Sequence, residues 1–162
     1  MSAAHMVEHS AIAGLLAPLL VLAWGRLGGR APLGRPLWAW AAFVIVQWVF
    51  HLTPLLDATR GNPVLHGAEH VAFLLVAVWF WVPVLGAGER RLGDPERALY
   101  LFLAAPAVDL VGVALMVRGD AAAGVAMLAG TLPIVAAAAI VTWQWLADEE
   151  RRAAMERAHG AL

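Results

Sequence analysis

The chain has 162 residues, 62% of them apolar, with a mean hydropathy of +0.73 and a formal net charge of −1. Soluble domains run at roughly 45–50% apolar, and with 14% charged residues there is too little polar surface to cover a soluble core, so the composition specifies a membrane protein. There is no cysteine, which excludes disulfides and thiolate metal sites, and nothing marks a nucleic-acid footprint.

The first ten residues contain no basic residue, and the apolar segment after them ends in Gly25-Arg26 rather than in a small-residue cleavage site. The first segment therefore reads as a retained span and not a signal peptide. A helix needs about 20 apolar residues to cross the hydrocarbon core. Five segments meet this, at about Met6–Trp24, Leu37–Leu56, Pro63–Leu85, Ala98–Val117 and Ala121–Ala147, with a polar tail over 148–162. The expected fold is all-α, one polytopic helical bundle with short connections and no soluble domain.

Every basic residue is an arginine, and their distribution sets an orientation. Arg26, Arg30, Arg35, Arg90, Arg91, Arg97, Arg151, Arg152 and Arg157 fall on one side, against Arg60 and Arg118 on the other. The positive-inside rule then puts the N-terminus outside and the tail in the cytoplasm. Trp24, Trp38, Trp40, Trp143 and Trp145 fall at the inner interface, where aromatic belts form.

Local signals place the helix ends. Asn62-Pro63 reads as a cap followed by proline at the first helical position. Pro18, Pro83, Pro106 and Pro133 lie inside spans, where neighbouring helices can satisfy the freed carbonyls. Gly112, Gly124 and Gly130 should let the last two helices approach closely, and Gln47 and Thr53 are expected to make helix–helix hydrogen bonds.

The chemistry concentrates in the histidines. His5-Met-Val-Glu8-His9 opens the first span, His51 lies near the outer end of the second, and His66-Gly-Ala-Glu69-His70 opens the third. The orientation brings all five into one outer layer and leaves His159 alone in the tail. Histidines at i and i+4 share a helix face and suit a common metal ion. Glu8 and Glu69 precede the second histidine of each pair by one residue and so point about 100° away from it, which suggests orienting or proton-accepting roles. Ionisable groups inside spans are costly and mark function. Met6 and Met127 are candidate thioether ligands. Asp109, mid-span in the fourth segment, should face the bundle interior.

The His5-to-His9 opening, Trp48-Val-Phe-His51-Leu-Thr-Pro54, Asn62-Pro63-Val-Leu-His66-Gly-Ala-Glu69-His70, Phe73 and Trp79-Phe80-Trp81 resemble the CtaG-like cytochrome c oxidase assembly proteins. The likeness extends over most of the chain, through the segment at Tyr100 to Met127. It implies a non-enzymatic copper-binding protein serving a haem–copper oxidase on the outer face. His5, His9, His51, His66 and His70 are the implied copper ligands, with Met6 and Met127 as helpers; Glu8, Glu69 and Asp109 are supporting or proton-relay candidates on their own chemistry, and Asp109 has no counterpart in the family pattern. Members of that family have about seven spans; this chain starts at the His-Met motif, and Thr53 stands where they place proline directly after His-Leu.

The residues leave several readings open. In the copper reading, His66 and His70 with His51 form the core, and His5 and His9 complete it or make a second site. A bis-His haem b protein fits a helical bundle. His-x-x-Glu-His is also the inverted zinc-peptidase pattern, and a metal-free accessory subunit needs none of these ligands. The lipid bilayer and an oxidase subunit are the expected partners; self-association is left open.

Overall fold

A computed structural model describes residues 3–26, 35–55, 59, 61–87 and 91–160. Arg30, Arg60, Arg90, the 56–58 end of the expected second span and the last two residues of the tail lie outside the described residues. All regular structure among the described residues is helical: α1 (Ala3–Ala11), a π-helical turn (Ile12–Leu16), α2 (Ala17–Arg26), α3 (Pro36–Leu52), α4 (Pro63–Leu85), α5 (Asp94–Val117), α6 (Ala121–Gly130) and α7 (Leu132–Gly160).

Four stretches are long and apolar enough to cross a membrane, beginning at Ala4, Pro63, Asp94 and Ala121, and α3 is a shorter apolar helix. Large apolar side chains also cover the outside of the bundle. Leu19, Ile45, Leu75, Phe102, Leu110 and Ile140 are all exposed. A bundle apolar on both its inner and outer faces is a multi-pass membrane protein.

The packing order differs from the chain order. The first span (α1, the π turn and α2) lies against α4, α4 against α3, α3 against α5, and α5 against α6 and α7; α6 in turn packs on α1. The five segments thus close a ring. Its interior is filled by Phe43, Phe80, Trp81 and Tyr100, with Phe43 stacked on Phe80 at 4.3 Å and Phe80 on Tyr100 at 5.0 Å. The Tyr100 hydroxyl donates to the Phe80 carbonyl at 3.1 Å.

Proline explains the irregular points. In the π turn the Ala17 N–H donates to Ile12 O instead of Ala13 O, and the next residue, Pro18, has no N–H to offer. The Ala13 carbonyl is left without a donor in its own helix. The buried Trp81 indole N–H, from α4, donates to it at 2.7 Å, which is the cross-helix rescue a proline in a span requires.

α3 ends at Leu52 and not at Leu56. Thr53 precedes Pro54 and is extended (φ −112°, ψ 166°), as the proline ring demands of its predecessor. The Thr53 hydroxyl donates back to Val49 O at 2.6 Å, so its bond stays within its own helix, and Arg118 Nη1 covers Leu52 O at 3.0 Å. The last expected span is likewise interrupted at Thr131, two residues before Pro133, and then runs on without a break through the charged tail to Gly160. Asn62 caps α4 as expected, its Oδ1 accepting from Val64 N and Leu65 N at 2.9 and 3.3 Å.

Small residues bring backbones together at two crossings. A Cβ on Gly112 would stand 2.9 Å from Gly124 O, and one on Gly124 2.5 Å from Gly112 O. Gly130 has a different partner from the one expected: it closes on Ser10 of α1. Gly124→Val should lower stability by about 1–3 kcal/mol through overpacking. Gly67→Ala, whose added Cβ meets nothing within 4 Å, should raise it by up to about 1 kcal/mol. Thermal unfolding in detergent reads both signs.

Candidate metal centre

Three elements deliver the polar cluster. α1 carries His5, Glu8 and His9, α3 carries His51 in its last turn, and α4 carries His66, Glu69 and His70 in its first two turns. The ring order seats the first span against α4 and α4 against α3, so the three polar segments meet at one end of the bundle.

Glu69 is the centre of the arrangement and is 1% exposed. Its Oε1 lies 3.6 Å from His5 Nε2 and 3.6 Å from His9 Nε2, and its Oε2 lies 3.6 Å from His66 Nδ1. Glu8, at the exposed edge, lies 3.8 Å from His5 Nδ1 and 3.9 Å from His70 Nε2. The imidazoles pack ring against ring, with centroids 4.2 Å apart for His5 and His9 and 4.4 Å for His66 and His70.

These separations are too long for hydrogen bonds. They suit groups that share an ion, since two ligands each about 2.0–2.1 Å from one tetrahedral metal stand roughly 3.3 Å from each other. His9 Nε2, His66 Nδ1, His70 Nε2 and both Glu69 oxygens are buried with no hydrogen-bond partner among the described residues. Buried polar atoms without partners are expensive, and an ionised carboxylate among them needs a counter-charge. A cation satisfies every one of these demands, so the residues fit a metal. Two donor groups have their ligand atoms within 4.8 Å of one another: His5, His9 and Glu69, all buried, and His5, Glu8, His66 and His70, partly open.

His51 stands apart from both groups. Its Nδ1 is 2.7 Å from the Gln47 carbonyl, so that nitrogen carries the hydrogen and donates it. Nε2 is then the acceptor, and it faces His9 Nδ1 at 3.3 Å. His9 donates from Nδ1 and is left with its Nε2 lone pair directed at the cluster. Phe73 holds the same ring from its face, stacked at 4.1 Å, and meets His51 edge-on at 5.5 Å. Metal-binding histidines are oriented by such second partners. The sequence reading grouped His51 with His66 and His70; the geometry pairs it with His9.

The other expected contributors lie nearby or elsewhere. Met6 is fully buried and packs in the apolar core. Met127 lines a crevice beneath His9, with Ser10, Gln47 and Thr131 among its walls and a cavity of about 10 Å³, which is room for about one water. Gln47, expected to bond a neighbouring helix, has a buried Oε1 with no partner among the described residues. Asp109 Oδ1 accepts from the Thr131 hydroxyl at 2.8 Å, which ties it to the break between α6 and α7. His159 bonds Met155 O at 2.9 Å on the exposed tail helix.

Relative to the histidine that follows it, each glutamate points away from the ligand face. Measured against the preceding one, Glu8 and Glu69 are at i+3, about 60° from His5 and His66 on the helix wheel, and that spacing was the available signal. Phe73, at i+3 from His70, was in view without a role.

A family model described as cytochrome c oxidase caa3 assembly factor matches residues 24–122, well over half of the chain. None of the curated proteins and none of the solved structures compared with the chain matches it. The matched region contains His51, His66, Glu69, His70 and Asp109, whereas His5, His9 and Met127 lie outside it.

The hydrogen-bonded order from Gln47 O through His51 to His9 generates a prediction. His51→Phe should weaken metal affinity by about 10–100-fold, the usual cost of removing an orienting partner, without changing the number of ions bound. Copper(II) titration of the purified protein measures both quantities.

Proposed function

The chain belongs to the cytochrome c oxidase caa3 assembly factor family, and from that premise we propose that it holds a copper ion in the Glu69-centred cluster and passes it to a haem–copper oxidase during assembly. The observation that carries this reading is a buried carboxylate ringed by imidazoles from two helices. His5, His9 and Glu69 hold the ion, with His66, His70 and Glu8 at the open edge. Bound there, the metal is cargo. The protein's own work is to bind it, keep it from water and release it to a partner.

The arginine distribution supports placing this end of the bundle on the periplasmic or extracellular side of the bacterial plasma membrane. An ion gathered there would meet an oxidase subunit from outside. Direct contact between the imidazole rings favours a compact ion over haem, because a porphyrin needs a slot between its two axial ligands. Glu69 is enclosed by three imidazoles, which favours a ligand or counter-charge role over that of a general base working on a substrate. The tail helix carries the i, i+3 pairs Arg151–Asp148 and Arg152–Glu149 and presents a charged rod on the opposite side, suited to docking or to anchoring at the cytoplasmic surface.

The test is oxidase maturation. In cells whose only copy carries Glu69→Gln or His5→Ala, purified oxidase should contain several-fold less copper with its haem retained, as elemental and optical analysis would show. A purified wild-type protein that binds no copper by titration would overturn the proposal.

A further inference from the structure

The two donor groups have one residue in common. His5 presents Nε2 toward Glu69, 3.6 Å away on the buried side, and Nδ1 toward Glu8, 3.8 Å away at the open edge. His9 and Glu69 complete the buried group; His66, His70 and Glu8 complete the open one. The groups also differ in access. The side chains of His9 and Glu69 are 2% and 0% exposed, against 36% for His66, 27% for His70 and 57% for Glu8.

A neutral imidazole has a single ring lone pair, on one nitrogen, while the other nitrogen carries the hydrogen. His5 can therefore serve the open group or the buried group but not both. Both groups consist of imidazole nitrogen and carboxylate oxygen with no sulfur, a donor set that suits a divalent ion rather than Cu(I).

We propose that the cluster is a two-position relay for one divalent ion, captured at the open group of Glu8, His66 and His70 and transferred to the buried group of His9 and Glu69, with His5 as the shared ligand. This rests on the metal-binding reading above and goes beyond it in assigning an order, a stoichiometry and an oxidation state. Besides the metal–ligand bonds, only one N–H bond of His5 is broken and another formed. As the ion crosses, the His5 hydrogen moves from one ring nitrogen to the other, so charge and protons balance.

The experiment is Cu(II) loading of the full chain in detergent, followed by stopped-flow absorption and then by release to EDTA. The wild type should bind one ion per chain in two phases, a concentration-dependent capture and a slower concentration-independent transfer. Glu8→Gln combined with His70→Ala should still bind one ion but load at least ten-fold more slowly. His9→Ala combined with Glu69→Gln should also bind one ion but surrender it to EDTA at least ten-fold faster. Two ions per wild-type chain, or single-phase loading, would overturn the relay whatever the variants do. So would unchanged kinetics in both variants, or complete loss of binding in either one while its unfolding midpoint stays that of the wild type. A wild type that binds no Cu(II) at all removes the metal reading itself, and the relay with it.

Discussion

A carboxylate that is 1% exposed at the end of a bundle coated in hydrocarbon side chains sets the terms for everything around it. Water does not reach it, and no hydrogen-bond donor touches either oxygen among the described residues. Its neighbours are imidazoles from α1 and α4, which can accept a cation as readily as the carboxylate can. Low local polarity strengthens whatever ionic interaction forms there and makes an unanswered charge costly. The cluster is in that sense a polar network organised around one demand, and α1, α3 and α4 are arranged so that each contributes to meeting it.

The scaffold controls where α1 stands. The π turn follows directly after α1, and Pro18 leaves the Ala13 carbonyl to be taken by Trp81. That bond pins the first span to α4, about one turn past His9 on the first span and about three turns past His70 on α4. π segments inside α-helices recur at functional sites, and here the extra residue per turn changes the rotational phase between the His5–His9 face above and the core-facing Ala17 and Val21 below. An uninterrupted α-helix through Ile12–Leu16 would not present both faces correctly. Gly130 against Ser10 on the other flank fixes the same helix from the α6 side.

Much of this was legible in the sequence. Hydropathy gave the all-α membrane bundle, Asn62-Pro63 placed the start of α4, and the i, i+4 histidine pairs located the polar end. What escaped was set by tertiary contact or by backbone detail. The end of α3 depended on Thr53 preceding Pro54, a local signal outweighed by the apolar Leu55-Leu56. The continuous helix through the tail depended on i, i+3 ion pairs that hydropathy does not register. The centrality of Glu69 required knowing that α1 lies across α4, and the pairing of His51 with His9 required the Gln47 carbonyl to fix a tautomer. Side-chain direction on one helix is readable from spacing; which helix faces it is not.

The early end of α3 has a consequence for the surrounding lipid. Seventeen residues make a helix about 25 Å long at 1.5 Å per residue, short of the roughly 30 Å hydrocarbon core, while α4 and α5 have 23 and 24 residues. A short segment among longer ones is accommodated by local thinning of the bilayer. Such thinning would draw headgroups and their hydration inward along that flank, and α3 carries His51 in its final turn. The membrane itself would then dip toward the cluster, so that an ion arriving from the aqueous phase has a shorter hydrophobic distance to cover than the length of the neighbouring spans implies.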